Sequence, residues 1–313
     1  MPGLMAIFRK ELADHFGSRR FIILYLLVCL AGASAVYTTG QSIRNELAGS
    51  TTPPFVFLLL FTASSDRLLP FISFIGFLGP LVGLALAFDS INGERNRGTL
   101  SRLLAQPIYR DSVINGKFLA GLTTVAVMLT SIVLVVSGLG VKLIGVVPTP
   151  EEAVRLAVFL VICILYVAFW MALATLFSLL LRQTATSALA GIASWIFFTF
   201  FLTMVVSTLT DALVAVDEMD IDSVLNVANT QQMLARLSPN TLFQEATVAI
   251  LMPNVRTLGL VLPWEQIGMV PNPLPLMQSL LLVWPQIAGL LAMSAICFAI
   301  AYTKFMREEI RAL

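Results

Sequence analysis

Long apolar stretches separated by short polar segments make up most of the chain. A membrane-crossing helix needs about 20 mostly apolar residues, because the hydrocarbon core is about 30 Å thick and each helical residue rises about 1.5 Å. Six stretches meet this requirement, at residues 21–37, 68–88, 118–140, 153–181, 184–207 and 276–303. The pattern therefore predicts an all-α integral membrane protein with six transmembrane helices.

A seventh apolar stretch, residues 55–63, is too short to cross a membrane. It lies between Pro53-Pro54 and a polar segment, 64–67, that precedes the second span. We expect it to lie at the outer surface or to enter the membrane only partway.

The segment before the first span has an amphipathic pattern. Its apolar residues recur every four positions, at Leu4, Phe8, Leu12 and Phe16. Its charged residues, Arg9, Lys10, Glu11 and Asp14, lie elsewhere on the helical wheel. Such a stripe is typical of a helix that lies in the membrane surface. We expect the stripe to face lipid and the charges to face water or a protein partner.

Composition supports a membrane protein. Of the 313 residues, 58% are hydrophobic and 12% are charged, whereas a soluble domain averages about 45–50% and about 25%. The mean hydropathy is +0.90. The net charge of +1 gives no reason to expect nucleic acid as a partner.

Several classes of catalytic and metal site are excluded by residue type. Zinc proteases and Ser-His-Asp hydrolases need imidazoles inside a pocket, and the single histidine, His15, is expected on the surface of the N-terminal helix. The cysteines lie in apolar runs, where buried free thiols are expected: Cys29, Cys163 and Cys297. No span carries a catalytic set, so an intramembrane enzyme is disfavoured and the chain is not expected to be an enzyme.

The distribution of basic residues predicts the orientation, because cytoplasmic loops are enriched in Lys and Arg. Thirteen of the 19 basic residues lie on one side of the six predicted spans, the side that holds both termini. Both termini are therefore predicted to be cytoplasmic, with residues 1–20 as a cytoplasmic interfacial helix. We expect a multi-pass protein of the cytoplasmic (inner) membrane.

The segment between the second and third spans, residues 89–111, combines charge with an apolar face. Thr99 is expected to cap a short helix that Pro107 ends. One side of this helix carries Leu100, Leu103 and Leu104. The basic residues of the segment are Arg95, Arg97, Arg102 and Arg110. A loop that only sets topology needs no leucine face, so the pattern favours a helix that docks on another surface. A basic loop that only sets topology remains the alternative.

Motifs in and after this loop resemble those of a known family. They are Gly93-Glu94-Arg95, Arg97-Gly98-Thr99, Leu103-Leu104, Gln106-Pro107, Arg110 and Gly116-Lys117-Phe118. They are similar to the cytoplasmic loop of the ABC-2 type permeases, the membrane subunits of ABC transporters whose ATPase is a separate chain. A weaker likeness extends over most of the chain, at residues 8–12, 237–240, 284–285 and 305–307. Within the family, the chain resembles the permease type that includes the nitrous-oxide-reductase maturation transporter.

The resemblance implies that the loop is a coupling helix seated in a groove of the ATPase. The residues implied in ATPase coupling are Glu94, Arg95, Arg97, Gly98, Thr99, Arg102, Leu103, Leu104, Pro107 and Arg110 of the loop, with Phe8, Arg9 and Glu11 of the N-terminal helix. It also implies two copies of the ABC ATPase and a second permease copy, in a homodimer or a heterodimer. The implied function is export of a substrate that the likeness leaves open.

The chain's own residues agree that ATP is bound elsewhere. A phosphate-binding loop has the pattern G-x-x-x-x-G-K-[ST]. The only Gly-Lys pair, Gly116-Lys117, is followed by Phe118, and Asp111 stands where the first Gly should be. ATP and Mg²⁺ are therefore expected on the partner ATPase, with no cofactor in this chain.

The spans also indicate where the energy comes from. No Asp, Glu, Lys, Arg or His lies in the interior of a predicted span, whereas ion-coupled carriers normally keep such residues at mid-membrane. Energy is therefore expected to arrive mechanically through the cytoplasmic surface. Gly79 and Gly83 permit close helix packing and are candidates for a subunit seam.

On the other side of the membrane, residues 208–275 form the large segment between the fifth and sixth spans. A helix predicted near 239–251 makes this segment an extracytoplasmic helical subdomain. Thr149 is expected to cap the fourth span, with Glu152 closing a capping box. The large segment also supports an alternative function, a membrane scaffold or sensor whose outer loop binds a partner protein.

Overall fold

The computed structural model describes residues 2–47, 55–64, 68–213, 221–258 and 273–308. The helices are α1 (Pro2–Gly17), α2 (Arg19–Leu47), α3 (Val56–Thr62), α4 (Phe71–Ala87), α5 (Asn92–Asn96), α6 (Thr99–Leu104), α7 (Arg110–Ile144), α8 (Pro150–Leu180), α9 (Thr184–Ile196), α10 (Leu202–Leu213), α11 (Ile221–Ala235), α12 (Pro239–Leu251) and α13 (Leu276–Arg307). A π-helical turn, Phe197–Phe201, joins α9 to α10. The all-α prediction is confirmed.

Six helices in the described ranges are long and apolar enough to cross a membrane, which confirms the predicted number. They are α2, α4, α7, α8, the rod of α9 and α10, and α13. Most of these helices extend beyond their apolar stretch at one end or both, whereas α4 lies within residues 68–88. With 35 residues, α7 is about 50 Å long and begins at Arg110, well before the apolar stretch starts. Its first turns therefore lie beyond a hydrocarbon core of about 30 Å.

The connections divide the bundle into two ends. We call one the basic end; it holds α1, the segment from α4 to α7 with its arginines, and the end of α13. The opposite end holds α3, the connection between α7 and α8, and the start of α13.

Helix α8 lies in the middle of the bundle, packed against α4, α7, α12 and α13. Its side chains Phe159, Tyr166 and Trp170 are fully buried. Gly79 and Gly83 of α4 face it, and a Cβ on Gly83 would lie 2.7 Å from the carbonyl oxygen of Val167. The close packing expected of these glycines is therefore present, but it lies inside one chain, which corrects the expectation of a subunit seam.

We expect Gly83→Ala to lower thermal stability, because the added methyl group would press on the Val167 carbonyl oxygen and on the Trp170 Cβ, 2.7 and 3.0 Å away. Overpacking of this kind costs about 1–3 kcal/mol. Gly138→Ala in α7 is the matched control, since nothing lies within 4 Å of its added carbon. Thermal unfolding in detergent compares the two variants. Equal unfolding temperatures would show that α4 can move away from α8 without cost.

The short apolar stretch forms α3, a buried helix at the opposite end that does not cross the bundle, as expected. Its Phe57 N–H donates to Oε1 of Glu152 at 3.1 Å. The other oxygen of Glu152 accepts from the backbone N–H of Thr149 at 2.8 Å, while the Thr149 hydroxyl accepts from the Glu152 N–H. The predicted capping box is therefore confirmed, and it also holds α3 in place.

The helix predicted near 239–251 is present as α12, but it lies among the spans rather than above them. The ring of Phe243 stacks on Tyr166 in the middle of α8, with 4.3 Å between ring centroids. Just before α12, the Ser238 hydroxyl donates to the carbonyl oxygen of Phe198 at 3.3 Å. Phe198 lies about 20 Å from Thr184, the start of α9, along the continuous helix formed by α9 and α10. The pair α11–α12 is thus a hairpin that turns at mid-bundle depth. The outer subdomain as a whole stays a prediction.

This hairpin brings charge between the spans. Glu245 of α12 accepts from the Arg236 Nε at 2.9 Å and from the Gln286 Nε2 at 2.9 Å. Gln286 lies about 15 Å from the start of α13. The interiors of the spans carry no charged residue, but the hairpin places the carboxylate of Glu245 among them. The parts of the predicted outer segment at 214–220 and 259–272 lie outside the described residues.

Candidate functional site

The N-terminal helix packs on the first turns of α7. Ile7 is buried, and a Cβ on Gly116 of α7 would lie 2.9 Å from the Ile7 side chain. Glycine at this position therefore lets the two helices approach closely. The predicted helix is confirmed, but its most buried side chain lies outside the predicted stripe: Phe8 is half-buried and Phe16 is 37% exposed.

Two short helices, α5 and α6, fold the segment between α4 and α7. Gly98, with φ of 67°, lies at the boundary between them as the N-cap of α6. A left-handed backbone favours glycine at such a boundary. Thr99 is therefore the first residue of α6 and not its cap, so that prediction is wrong. Its hydroxyl instead donates to the carbonyl oxygen of Glu94 at 3.2 Å.

The leucine face of α6 turns inward. Leu100 is 2% exposed and packs in a cluster with Ile91, Ile114 and Phe305, against which Leu103 also packs. The face therefore docks on the ends of this chain's own spans. The side chain of Leu104 lies outside the described residues.

The other side of this segment is exposed. We call Arg97, Arg102, Pro107 and Tyr109 the loop surface; all four are exposed, and Tyr109 is 83% exposed. Arg9 of α1 is exposed as well. Tyr109 is not among the residues predicted to act in coupling, and its only signal in the sequence is an aromatic residue two positions after Pro107 in a polar loop.

Glu94 does not belong to the loop surface. It is 6% exposed, and its Oε1 lies 2.8 Å from the Nζ of Lys117 in α7. The same Nζ lies 2.8 Å from Oε1 of Glu11 in α1. One buried lysine thus binds a carboxylate from the loop and another from the N-terminal helix. We call Glu11, Glu94 and Lys117 the lysine cluster.

A second lysine borders this cluster. The Nζ of Lys10 lies 2.9 Å from Glu11 and 3.1 Å from Asp14. Burial works against the charge of Lys10, but its hydrogen bonds and ion pairs with these carboxylates outweigh burial and raise its pKa. Burial likewise acts to raise the pKa of Glu11, but Lys117 and Lys10 outweigh it and the pKa is lowered. Both groups are therefore charged at neutral pH.

The cluster lines a cavity of about 400 Å³ at the basic end. His15 lies in its wall and is half-buried, which corrects the expectation of a surface histidine. Burial lowers the pKa of His15, against the opposing pull of Glu11. At the rim, an Arg20 Nη1 lies 2.6 Å from the Asp89 carboxylate.

Two of the predicted coupling arginines bind the segment that follows α13. Arg95 Nη2 lies 2.7 Å from the Glu308 carboxylate, and Arg110 Nη1 donates to the Glu308 carbonyl oxygen at 3.0 Å. These contacts tie the loop to the last span.

The arrangement is suited to docking and to transmitting force. In the part of the chain that the structure describes, no group of three His, Cys, Asp or Glu side chains could hold a metal ion. The basic end instead combines an exposed loop surface with buried contacts to α7 and α13. These contacts connect the exposed surface to the ends of the spans.

Comparisons with known proteins identify the family. The model of a family described as ABC-2 family transporter protein matches residues 5–310. The "Probable ABC transporter permease protein NosY" of Pseudomonas aeruginosa is 29% identical over 202 residues, which are 63% of this chain and 67% of that protein. The protein of the same name from Stutzerimonas stutzeri is 31% identical over 112 residues, 36% of each chain.

Proposed function

Because the chain belongs to the ABC-2 family of transporter proteins, whose model it matches over residues 5–310, it is the membrane subunit of a transporter, and we propose that a separate ABC ATPase drives export through it. In the proposed complex, two ATPase subunits hold ATP and Mg²⁺ and pair with two permease copies, identical or related. In this proposal the basic end, which holds both termini, faces the cytoplasm, and the membrane is the cytoplasmic (inner) membrane.

The loop surface is the observation that carries this proposal. Its outward side presents arginines, a proline and a tyrosine 83% exposed, and Tyr and Arg are enriched among the residues that dominate binding energy at interfaces. Its inward side is anchored by Leu100 and Glu94, which are 2% and 6% exposed. A rigid, anchored surface of this kind transmits a push from a soluble partner.

The burial pattern divides the coupling residues into two groups. The exposed group, which we propose contacts the ATPase, is Arg9, Arg97, Gly98, Thr99, Arg102, Pro107 and Tyr109. A second group, which we propose positions the first from inside, is Glu11, Glu94, Arg95, Leu103 and Arg110. Phe8 is half-buried and belongs to neither group.

Site-specific photo-crosslinking tests the proposal. A photoreactive residue at Arg102 or Tyr109 is expected to form a covalent adduct with a protein that carries a phosphate-binding loop, identified by mass spectrometry. The matched control is Val147, which is 70% exposed at the opposite end of the bundle and is expected to form no such adduct. Adducts at Val147 alone would refute the proposed orientation. A scaffold or sensor would form no ATPase adduct at any of the three positions.

A further inference from the structure

The lysine cluster joins the two elements that the ATPase would move. We infer that Lys117 is a positioning residue that ties the N-terminal helix and the loop to the third span, so that all three move as one unit during ATP turnover. This inference rests on the proposed function and adds the route by which force enters the spans.

The geometry concentrates both contacts on one atom. Glu11 and Glu94 come from elements separated by more than 70 residues of chain, and each lies 2.8 Å from the same Nζ. The Lys117 side chain is 8% exposed and those of Glu11 and Glu94 are 12% and 8% exposed. Little water or salt therefore screens these contacts.

Apolar packing alone would leave this junction free to slide. Ile7 on Gly116 and Leu100 in its cluster hold α1 and α6 close to the spans, but hydrophobic contacts are not directional. Two charge-assisted hydrogen bonds to one lysine define both distance and direction. The cluster therefore adds a defined geometry to the packing.

The cluster is poorly suited to a purely stabilising role. Replacing a buried ion pair by apolar residues of similar volume is often neutral or stabilising, because charges lose their hydration on burial. Here the second oxygen of Glu94 is buried and accepts no hydrogen bond from a described protein group, so no contact within the chain compensates its burial. The free-energy cost of burying these charges is better explained by a role in holding α1, the loop and α7 in a fixed geometry than by a gain in stability.

The Arg20–Asp89 pair provides a natural comparison. It borders the same cavity and is short, with 2.6 Å between Nη1 and Oδ2, but its side chains are 58% and 27% exposed. It joins the start of α2 to the first residue of the segment 89–111 and does not involve α1 or α7. Asp89→Asn therefore changes the same charge in the same cavity without breaking the proposed tie.

The test compares Glu11→Gln, Glu94→Gln and their double variant with Asp89→Asn. Spin labels on cysteines at the exposed positions Ala13 and Ala105, which lie outside the group proposed to contact the ATPase, report the distance between α1 and the end of α6. Cys29, Cys163 and Cys297 are replaced in the labelled protein. ATP turnover and transport are measured on the permease–ATPase complex in lipid nanodiscs and vesicles. Co-purification checks that each variant still binds the ATPase.

We expect a narrow label-distance distribution for the unaltered cluster and for Asp89→Asn, with and without trapped ATP. Each Glu→Gln variant is expected to broaden the distribution and to lower coupled ATP turnover about tenfold, a typical strength of coupling between sites. The double variant is expected to match the single variants, because either change breaks the same tie. Lys117→Arg, which keeps the charge, is expected to retain a narrow distribution.

Three results would overturn the inference: narrow distributions with normal turnover in both single variants, losses that multiply in the double variant, or loss of ATPase binding by Glu94→Gln. The last result would place Glu94 in the docking contact. Failure of the proposed function gives a different result, because no ATPase would then accompany even the unaltered chain, whereas the label distances in the isolated permease would still test the tie.

Discussion

Replacing Arg155 with methionine is expected to lower the free energy of unfolding by about 2–6 kcal/mol, since each buried acceptor left without a donor costs about 1–3 kcal/mol. The Arg155 side chain is fully buried. It donates to the carbonyl oxygens of Ile250 and Leu274, at 2.8 and 2.5 Å. Methionine fills much of the same space but offers neither hydrogen bond.

Two features of these carbonyl groups explain the size of the effect. Ile250 lies in the last turn of α12, where carbonyl oxygens have no partner within the helix, and the cation also matches the negative end of the helix dipole. Leu274 lies just before α13. Arg155 of α8 thus joins the hairpin to the last span at the opposite end of the bundle.

Thermal unfolding in detergent measures this effect, and Glu151→Gln is the matched control. Glu151 binds the same guanidinium at 2.9 Å, but its side chain is 43% exposed. An ion pair with one exposed partner contributes about 0–1 kcal/mol. We therefore expect Glu151→Gln to unfold near the temperature of the unaltered chain. Equal losses in both variants would mean that Arg155 acts through the ion pair and not through the carbonyl groups.

The second large effect is expected on assembly with the proposed ATPase. Tyr109→Ala is expected to weaken the affinity about 30-fold, which corresponds to about 2 kcal/mol, the threshold for a residue that dominates an interface. Stability of the permease should not change, because Tyr109 is 83% exposed and such surface changes alter stability by about 0.5 kcal/mol or less.

Binding of purified ATPase to the permease in nanodiscs measures this affinity. Gln106→Ala is the matched control, since Gln106 is an exposed polar residue of the same loop and we expect little change in affinity. An unchanged Kd for Tyr109→Ala would remove Tyr109 from the proposed docking surface, and combining it with Arg102→Glu would show whether the arginine contributes instead.

The spans were predictable because their cause is local. A membrane-spanning helix must be apolar over the thickness of the hydrocarbon core, so it is visible as one continuous run of apolar residues. Their ends were less predictable. Outside the hydrocarbon a helix can continue through polar residues, so α7 begins at Arg110 and carries Lys117 in its first turns.

The site was predicted as a segment, but its two sides could not be told apart. A helical wheel shows that Leu100 and Leu103 share a side, but it does not show what covers that side. The structure turns the leucines onto the chain's own spans, buries Glu94 with them, and leaves Arg102 and Tyr109 outside. Residues of one sequence motif thus form both an exposed surface and the buried contacts that hold it in place.

The sequence by itself determined six spans, a capping box at Thr149 and a basic loop with an apolar face, because hydropathy and helix-start signals act over a few neighbouring residues. Only the tertiary structure decided the partners of the buried charges. Glu11 and Lys117 lie 106 residues apart, and Glu245 reaches Gln286 across 41 residues. Such pairs form because folding removes these groups from water, and a buried charge must then find whichever opposite charge or dipole the packed helices bring within reach.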